Sequence, residues 1–228
     1  MFIQFLIEDQ SGEVLIDIIM EKYNAESAEE NVEYDTKWYK GIGGFPKGSN
    51  AKNIKSEQLL MDLPKRLRAI SNSWRGKYGK EDAAIFVILD NDIRDTADFQ
   101  NQLQALSDKN NITIDHVYCI AVEEMEAWLL GDREAIQAAY PSLSDRIASK
   151  HPNYRQDSIC GTWEFLADML TKRGIGVFRK NNPSPHDIGQ CKREWAEKIG
   201  ARLTIRGNAS PSFQVFLSEL DKRTQICA

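Results

Sequence analysis

Three groups of carboxylates in this chain each follow a short apolar run. Glu8 follows Phe2 to Ile7, Asp90 and Asp92 follow Ala83 to Leu89, and Glu123, Glu124 and Glu126 follow His116 to Val122. Runs of five to seven apolar residues rich in β-branched and aromatic side chains read as buried strands of a parallel sheet. Ligands of open α/β sheets bind outside the carboxyl ends of the strands, so carboxylates delivered there by three strands can converge. Carboxylates held close together repel unless a cation neutralises them, and a hard divalent cation prefers oxygen ligands. The chemistry this suggests is a Mg²⁺-type (or Mn²⁺) site on a Rossmann-like sheet.

Each of these residues also has a plainer role open to it. Asp90-Asn91-Asp92 is turn-forming, and Asp95 or Thr96 could cap the next helix. Glutamates opening a helix suit its dipole without further function. The loop Gly41-Ile42-Gly43-Gly44-Phe45-Pro46-Lys47-Gly48-Ser49 has the order Lys-Gly-Ser, where a phosphate loop requires Gly-Lys-Ser/Thr. It reads as an ordinary loop, and Lys55, just beyond it, is the better phosphate contact.

The elements that must position these residues alternate. Strands are expected near 2–7, 32–39, 84–89 and 115–121. Helices are expected near 12–22, with Ser11 as N-cap, near 56–73, with a kink or break at Pro64, and around Phe99, Leu103 and Leu106. This βαβαβαβ order predicts an α/β fold, a Rossmann-like, mostly parallel sheet flanked by helices. Beyond residue 123 only helical stretches are expected, near 123–130, 132–139, 161–173, 187–198 and 210–221. The expected organisation is an α/β core over 1–130 and a helical C-terminal region over 131–228 packed on it.

Composition narrows the classes. The net charge of −5 argues against a nucleic-acid packaging protein, but the basic residues are clustered. Lys65 to Lys80 holds six basic residues and no acid, and Lys172 to Arg206 holds nine against three acids. Either stretch could be a solvated helix face. The first, with Trp74 and Tyr78 interleaved, is the better nucleic-acid surface, and Arg66, Arg68 and Arg75 are its candidate phosphate contacts alongside Lys55. The four cysteines form no CxxC pair and the three histidines no metal motif, which suggests reduced thiols in a cytoplasmic protein. No segment reads as a signal peptide, and no apolar run approaches membrane-spanning length.

Strand-Glu followed by strand-Asp-x-Asp resembles the TOPRIM pattern of topoisomerases, DnaG-type primases and overcoming-lysogenization-defect nucleases. More closely, the chain resembles a TOPRIM-like family catalogued as domain of unknown function 4276. The resemblance rests on Phe5-Leu6-Ile7-Glu8, on Lys55-Ser56-Glu57 with Leu59, Leu60, Leu63-Pro64 and Leu67-Arg68, and on Val87-Ile88-Leu89-Asp90-Asn91-Asp92. It continues through Glu124-Met125-Glu126-Ala127-Trp128-Leu129-Leu130-Gly131-Asp132 to Asn208-Ala209-Ser210-Pro211-Ser212-Phe213. Asp9 stands where the TOPRIM glutamate is often followed by glycine, and Glu13 comes one residue later than the usual second acid. The resemblance implies Glu8 as general acid/base or metal ligand, Asp90 and Asp92 as Mg²⁺ ligands, and Glu124 and Glu126 as completing or supporting the site. It implies nuclease activity on DNA or RNA, a place in bacterial anti-phage defence, and an ABC-type ATPase encoded nearby as partner. Two other functions fit the residues: a haloacid-dehalogenase-like phosphatase, which also uses a strand followed by Asp-x-Asp, and a non-catalytic regulatory subunit with a degenerate TOPRIM core. Against the phosphatase, Asp90 follows the third strand, and Asp132 has Ile136 where the second acid should stand.

Overall fold

The computed structural model describes residues 1–26, 31–45, 57–79, 81–159, 161–171 and 184–224. Its centre is a four-stranded, all-parallel sheet of β1 (Phe2–Ile7), β2 (Glu33–Trp38), β3 (Ala83–Asp90) and β4 (His116–Ala121), in the order β2-β1-β3-β4. β3 is buried along its whole length, as its unbroken apolar sequence requires when helices cover both faces. β2 is an edge strand, and its exposed Glu33, Asp35 and Lys37 are the charges that keep an open edge from pairing with another chain. Those charges also weaken its strand signature.

The path of the chain fixes where a ligand can sit. From β1 the chain crosses through α1 (Gln10–Glu26) to β2 on one side. It then passes a short 3₁₀ turn, Leu60–Asp62, and α2 (Leu63–Trp74), and returns beyond β1 to β3. From β3 it continues outward through α3 (Thr96–Lys109) to β4. The direction of winding therefore reverses between β1 and β3, which makes the crevice at their carboxyl ends the topological switch point where such folds bind ligands.

Two apolar cores lie on the two faces. Leu6, Ile85, Val87, Leu89 and Ile120 face α2 and α3. Ile3, Phe5, Ile7, Phe86, Ile88 and Ala121 face α1 and the C-terminal helices. Those helices are α4 (Glu126–Leu130), α5 (Arg133–Ala139), α6 (Ser144–Ser149), α7 (Thr162–Leu170), α8 (Pro185–Gly200) and α9 (Pro211–Thr224). The expected strands agree with those observed to within a residue or so. Pro64 divides the expected segment: it lies in the first turn of α2, where its missing amide costs nothing, and the 3₁₀ turn Leu60–Asp62 stands apart before it. The cap of α1 differs from expectation. The Asp9 carboxylate accepts the Gly12 amide at 2.7 Å and the Ser11 hydroxyl at 2.9 Å, so Asp9 takes the role expected of Ser11. α6 and the 3₁₀ turn Pro141–Leu143 were not foreseen, and α4 is shorter than expected because the chain turns over residues 122–125 before it.

The C-terminal region is welded to the sheet by aromatic packing. Phe216 of α9 lies 6.3 Å from Phe5, 5.9 Å from Phe86 and 5.1 Å from Trp128, ring centre to ring centre. Trp128 is fully buried, and its indole N–H donates to the Ser212 hydroxyl at 3.0 Å. Asn208 donates to the Trp128 carbonyl at 2.7 Å, and the Ala209 amide to the Gly131 carbonyl at 2.8 Å. A Cβ at Gly131 would fall 1.9 Å from Asn208 Oδ1, so only glycine lets the two segments meet. Truncating Trp128 to Ala should destabilise the protein by about 3–5 kcal/mol, from the cavity left and the Ser212 hydroxyl stranded. Urea unfolding of the variant checks this; a loss below about 1 kcal/mol would mean that the aromatic cluster can collapse around the gap.

Candidate functional site

Glu8 and Asp90 meet at the switch point. β1 and β3 pair in register, Ile7 opposite Ile88, so Glu8 leaves β1 beside the end of β3. The Asp90 amide donates to Glu8 Oε2 at 3.1 Å. Asp90 is only 9% exposed, and its Oδ1 is buried with no hydrogen-bond partner. A buried carboxylate oxygen with no partner is costly unless a proton or a cation reaches it. Burial is the main reason that Glu8 is pushed up to about 7; the Asp90 amide opposes the rise, and the charges of Asp92 and Asp9 add to it. Asp90 is raised well above the usual carboxylate range, first by burial and then by the neighbouring Glu8, with Lys192 opposing.

Asn91 ties the two loops of this edge together. It is fully buried, and its side-chain amide donates to the Arg94 carbonyl at 2.9 Å and the Thr96 hydroxyl at 2.8 Å. Its carbonyl oxygen accepts the Glu123 amide. Asp92, at φ 48°, donates its own amide to the Glu123 carbonyl at 3.0 Å. An aspartate tolerates this left-handed geometry better than most residues, which suits the tight exit from β3. The Asp92 carboxylate is taken by Arg94 at 2.6 Å, at a half-exposed position on the rim. Asp95, as one of the two expected caps, accepts the Asp98 amide at 2.9 Å and starts α3.

The glutamates behind β4 divide their roles. Glu123, at φ 64°, accepts the Gly161 amide at 2.6 Å and the Thr162 amide at 2.7 Å, so it caps α7 and not the helix that follows it in sequence. Glu124 and Glu126 both reach Lys192 of α8, each at 3.1 Å. Burial pushes Glu124 up to about 7, with repulsion from Glu126 adding to the shift and Lys192 opposing it. Glu126 is raised by burial, again against Lys192. Desolvation alone would lower Lys192, but Glu126, Glu124, Asp90 and Asp9 outweigh it and hold the ammonium charged.

Two clusters therefore share one edge of the sheet: Glu8 with Asp90, and Lys192 with Glu124 and Glu126. Asp92 borders the first and is held by Arg94. Glu13 turns away and accepts the Thr36 hydroxyl at 3.3 Å, against β2. Lys192, Arg94 and Asn91 are the members that the sequence reading did not single out as functional. Lys192 lies far along the chain and in the basic stretch 172–206, where only charge density marked it. Among the described residues, no three His, Cys, Asp or Glu side chains converge to hold a metal by themselves. Mg²⁺ is commonly held by one or two carboxylates, with waters and substrate phosphates filling its other positions, and the Glu8–Asp90 pair with its unpartnered oxygen suits that donor set.

The expected nucleic-acid surface is not gathered at this edge. Trp74 and Tyr78 pack on Phe2, at 5.6 and 5.2 Å, so the end of the first basic stretch lies where β1 begins, across the sheet from Glu8. Arg75 is exposed in that region. Arg66 is 7% exposed, with its guanidinium 4.3 Å over the Tyr39 ring, which corrects its assignment as a phosphate contact: a buried cation stacked on an aromatic is a packing element. Arg68 is exposed and donates to the Asn110 carbonyl at 2.8 Å. Lys55 lies outside the described residues.

The raised carboxyl groups make stability depend on pH in a defined direction. With folded values near 7 for Glu8 and Glu124 against 4.5 for the free side chain, the folded state binds more protons than the unfolded state between those limits. Stability in a chelating buffer is therefore highest below about 4.5 as far as these groups are concerned, and falls as pH rises through about 7. Asp90→Asn should flatten that fall, because it removes one member of the Glu8 pair. Melting temperatures of wild type and variant from pH 5 to 8 check this, and identical slopes would show that the pair does not couple.

The model of the domain of unknown function DUF4276 matches residues 7–221. No curated protein and no solved structure matches the chain. The matched span begins at the end of β1, runs through both carboxylate clusters and Lys192, and stops within α9. It thus takes in all the charged groups of the two clusters, and the chain belongs to the DUF4276 domain family.

Proposed function

We propose that the chain is a Mg²⁺- or Mn²⁺-dependent phosphodiesterase of TOPRIM type that cleaves nucleic acid. The observation that carries this reading is the Glu8–Asp90 pair at the switch point, with Asp90 Oδ1 buried and unpartnered. Glu8 and Asp90 would hold the ion, and Asp92 could join them by leaving Arg94. When bound, the ion would polarise a phosphoryl oxygen and activate water. Arg94, released from Asp92, is a half-exposed cation on the rim that can turn to a phosphate oxygen, with the forked geometry that suits it. Asn91 keeps both loops fixed while this exchange occurs.

Nucleic acid as substrate is supported by the TOPRIM resemblance of Glu8 and Asp90-x-Asp92 and by the cations Arg94 and Lys192 near a carboxylate edge. The basic stretch at 65–79 lies largely across the sheet, so a backbone track is better sought over Arg94 and α8. A place in bacterial anti-phage defence beside an ABC-type ATPase follows from the same resemblance. Among the described residues no helix is long and apolar enough to cross a membrane.

The test is cleavage of single- and double-stranded DNA and RNA with Mn²⁺ or Mg²⁺. Asp90→Asn and Glu8→Gln should reduce cleavage to the level of a chelated control while leaving the fold intact, since both replacements lie at strand ends and open no cavity. Equal activity in wild type and both variants would remove the nuclease reading, and a phosphate trapped on Asp90 would move it to the phosphatase class. Ion binding must also displace protons from the raised Glu8 and Asp90 groups, so Mn²⁺ affinity should rise from pH 6 to 8. Titration calorimetry at several pH values checks it, and a flat profile would place the ion elsewhere.

A further inference from the structure

We propose that Lys192 takes the place of a second metal ion, so that this carboxylate edge binds one divalent cation and not two. The inference rests on the metal-dependent reading of Glu8 and Asp90 above.

Sites that cleave phosphodiesters with two ions place them about 3.5–4 Å apart and need carboxylates enough to neutralise both. The edge of this sheet carries the carboxylates: Glu8, Asp90 and Asp92 behind β1 and β3, Glu124 and Glu126 behind β4. Two of them already share one cation. The Lys192 ammonium stands 3.1 Å from Glu124 Oε1 and 3.1 Å from Glu126 Oε2, with only 12% of its side chain exposed. Glu126 is itself among the buried charged residues. Breaking such a pair by removing one partner leaves a buried charge uncompensated, so the ammonium is a fixed part of the edge and not a passing contact.

The remaining carboxylates divide differently. Asp90 is buried, and one of its oxygens has no partner at all, while Glu8 contacts the Asp90 amide with one oxygen. This is the donor set that suits a cation. One divalent ion at Glu8 and Asp90 together with one ammonium at Glu124 and Glu126 would give each pair of carboxylates a cation. An ammonium keeps its charge and position without exchanging with solvent, so it can offset negative charge on a phosphate as a second ion would. It cannot polarise an oxygen as a Lewis acid, which leaves that role to the single ion.

The position of Lys192 is also set by a contact independent of Glu124 and Glu126. α8 packs along α1, and Gly200 of α8 lies so close to Leu15 and Ile18 that a Cβ there would come within 3.2 Å of Leu15. α1 in turn is capped by Asp9, the neighbour of Glu8. The helix that brings the ammonium is thus seated on the helix that begins at the metal ligands.

The test is the number of Mn²⁺ ions bound by the full chain at pH 7.5, by titration calorimetry and by equilibrium dialysis with metal analysis. One ion is expected. Two ions in wild type would overturn the inference and leave the metal-dependent reading standing, whereas none would overturn that reading itself. The ligand variants give a second, separate readout. Removing a group that only supports a ligand costs about 10–100-fold in metal affinity, so losing a ligand by Asp90→Asn should cost more than about 100-fold. Glu124→Gln should leave Mn²⁺ affinity unchanged, because that carboxylate serves Lys192. A loss equal to that of Asp90→Asn would make Glu124 a metal ligand and refute the inference. Lys192→Gln is expected to admit a second, weaker ion and Lys192→Arg to keep one; if Lys192→Gln is unfolded by circular dichroism, the wild-type count and Glu124→Gln still decide.

Discussion

β3 is buried on both faces from its first residue to its last, and it ends on a carboxylate. That carboxylate cannot move back into water without pulling the strand out of register with β1 and β4, which pair with it along its length. Asp90 is therefore held in low dielectric by the same packing that makes the sheet. Its amide is given to Glu8, which brings a second negative charge alongside. The cost of keeping two carboxyl groups there is set by the core beneath them, and the rest of the edge is arranged around that cost. Arg94 holds Asp92 on the rim, Asn91 closes the loops, and α8 crosses from the far end of the chain with an ammonium.

Proton, ammonium and divalent cation can each quiet a buried carboxylate, but they differ in reach and in reversibility. The ammonium of Lys192 is permanent and serves the glutamates behind β4. The proton on the Glu8–Asp90 pair is labile near neutral pH, so it can give way when a divalent ion arrives. The sheet edge is graded from a fixed charge at one side to an exchangeable one at the other.

Much of this was legible in the sequence because it depends on local pattern. The apolar runs ending in Glu8 and Asp90 announced both the strands and the two carboxyl groups that meet at their ends, since a fully buried parallel strand has a composition that little else shares. Pairing of Trp128-Leu129-Leu130-Gly131 with Asn208 to Ser212 was readable only as two distinctive blocks; that they touch is a tertiary fact. The failures have a common physical cause. Ser11 was assigned by residue type, but a cap is decided by which group reaches the free amides, and Asp9 reached first. Arg66 and Arg75 were grouped because they are close in sequence. A helix running down a sheet face carries one end of such a stretch to each edge, and burial decided Arg66. Lys192 gave no signal beyond being a lysine in a basic stretch, because nothing local to it says that two glutamates lie opposite.

Lys192 also bears on how such a chain can change over time. The groups that would take the ion come from the first half of the sequence, and the charge that quiets their neighbours comes from the second. Trp128 and Phe216 bind the same two halves through their cores. A gene fusion or recombination that kept the four strands and exchanged the helices behind them would inherit the acidic edge without its resident cation. The acidic edge therefore depends on both halves of the chain, and the helical region is as much a part of it as the strands that bear the acids.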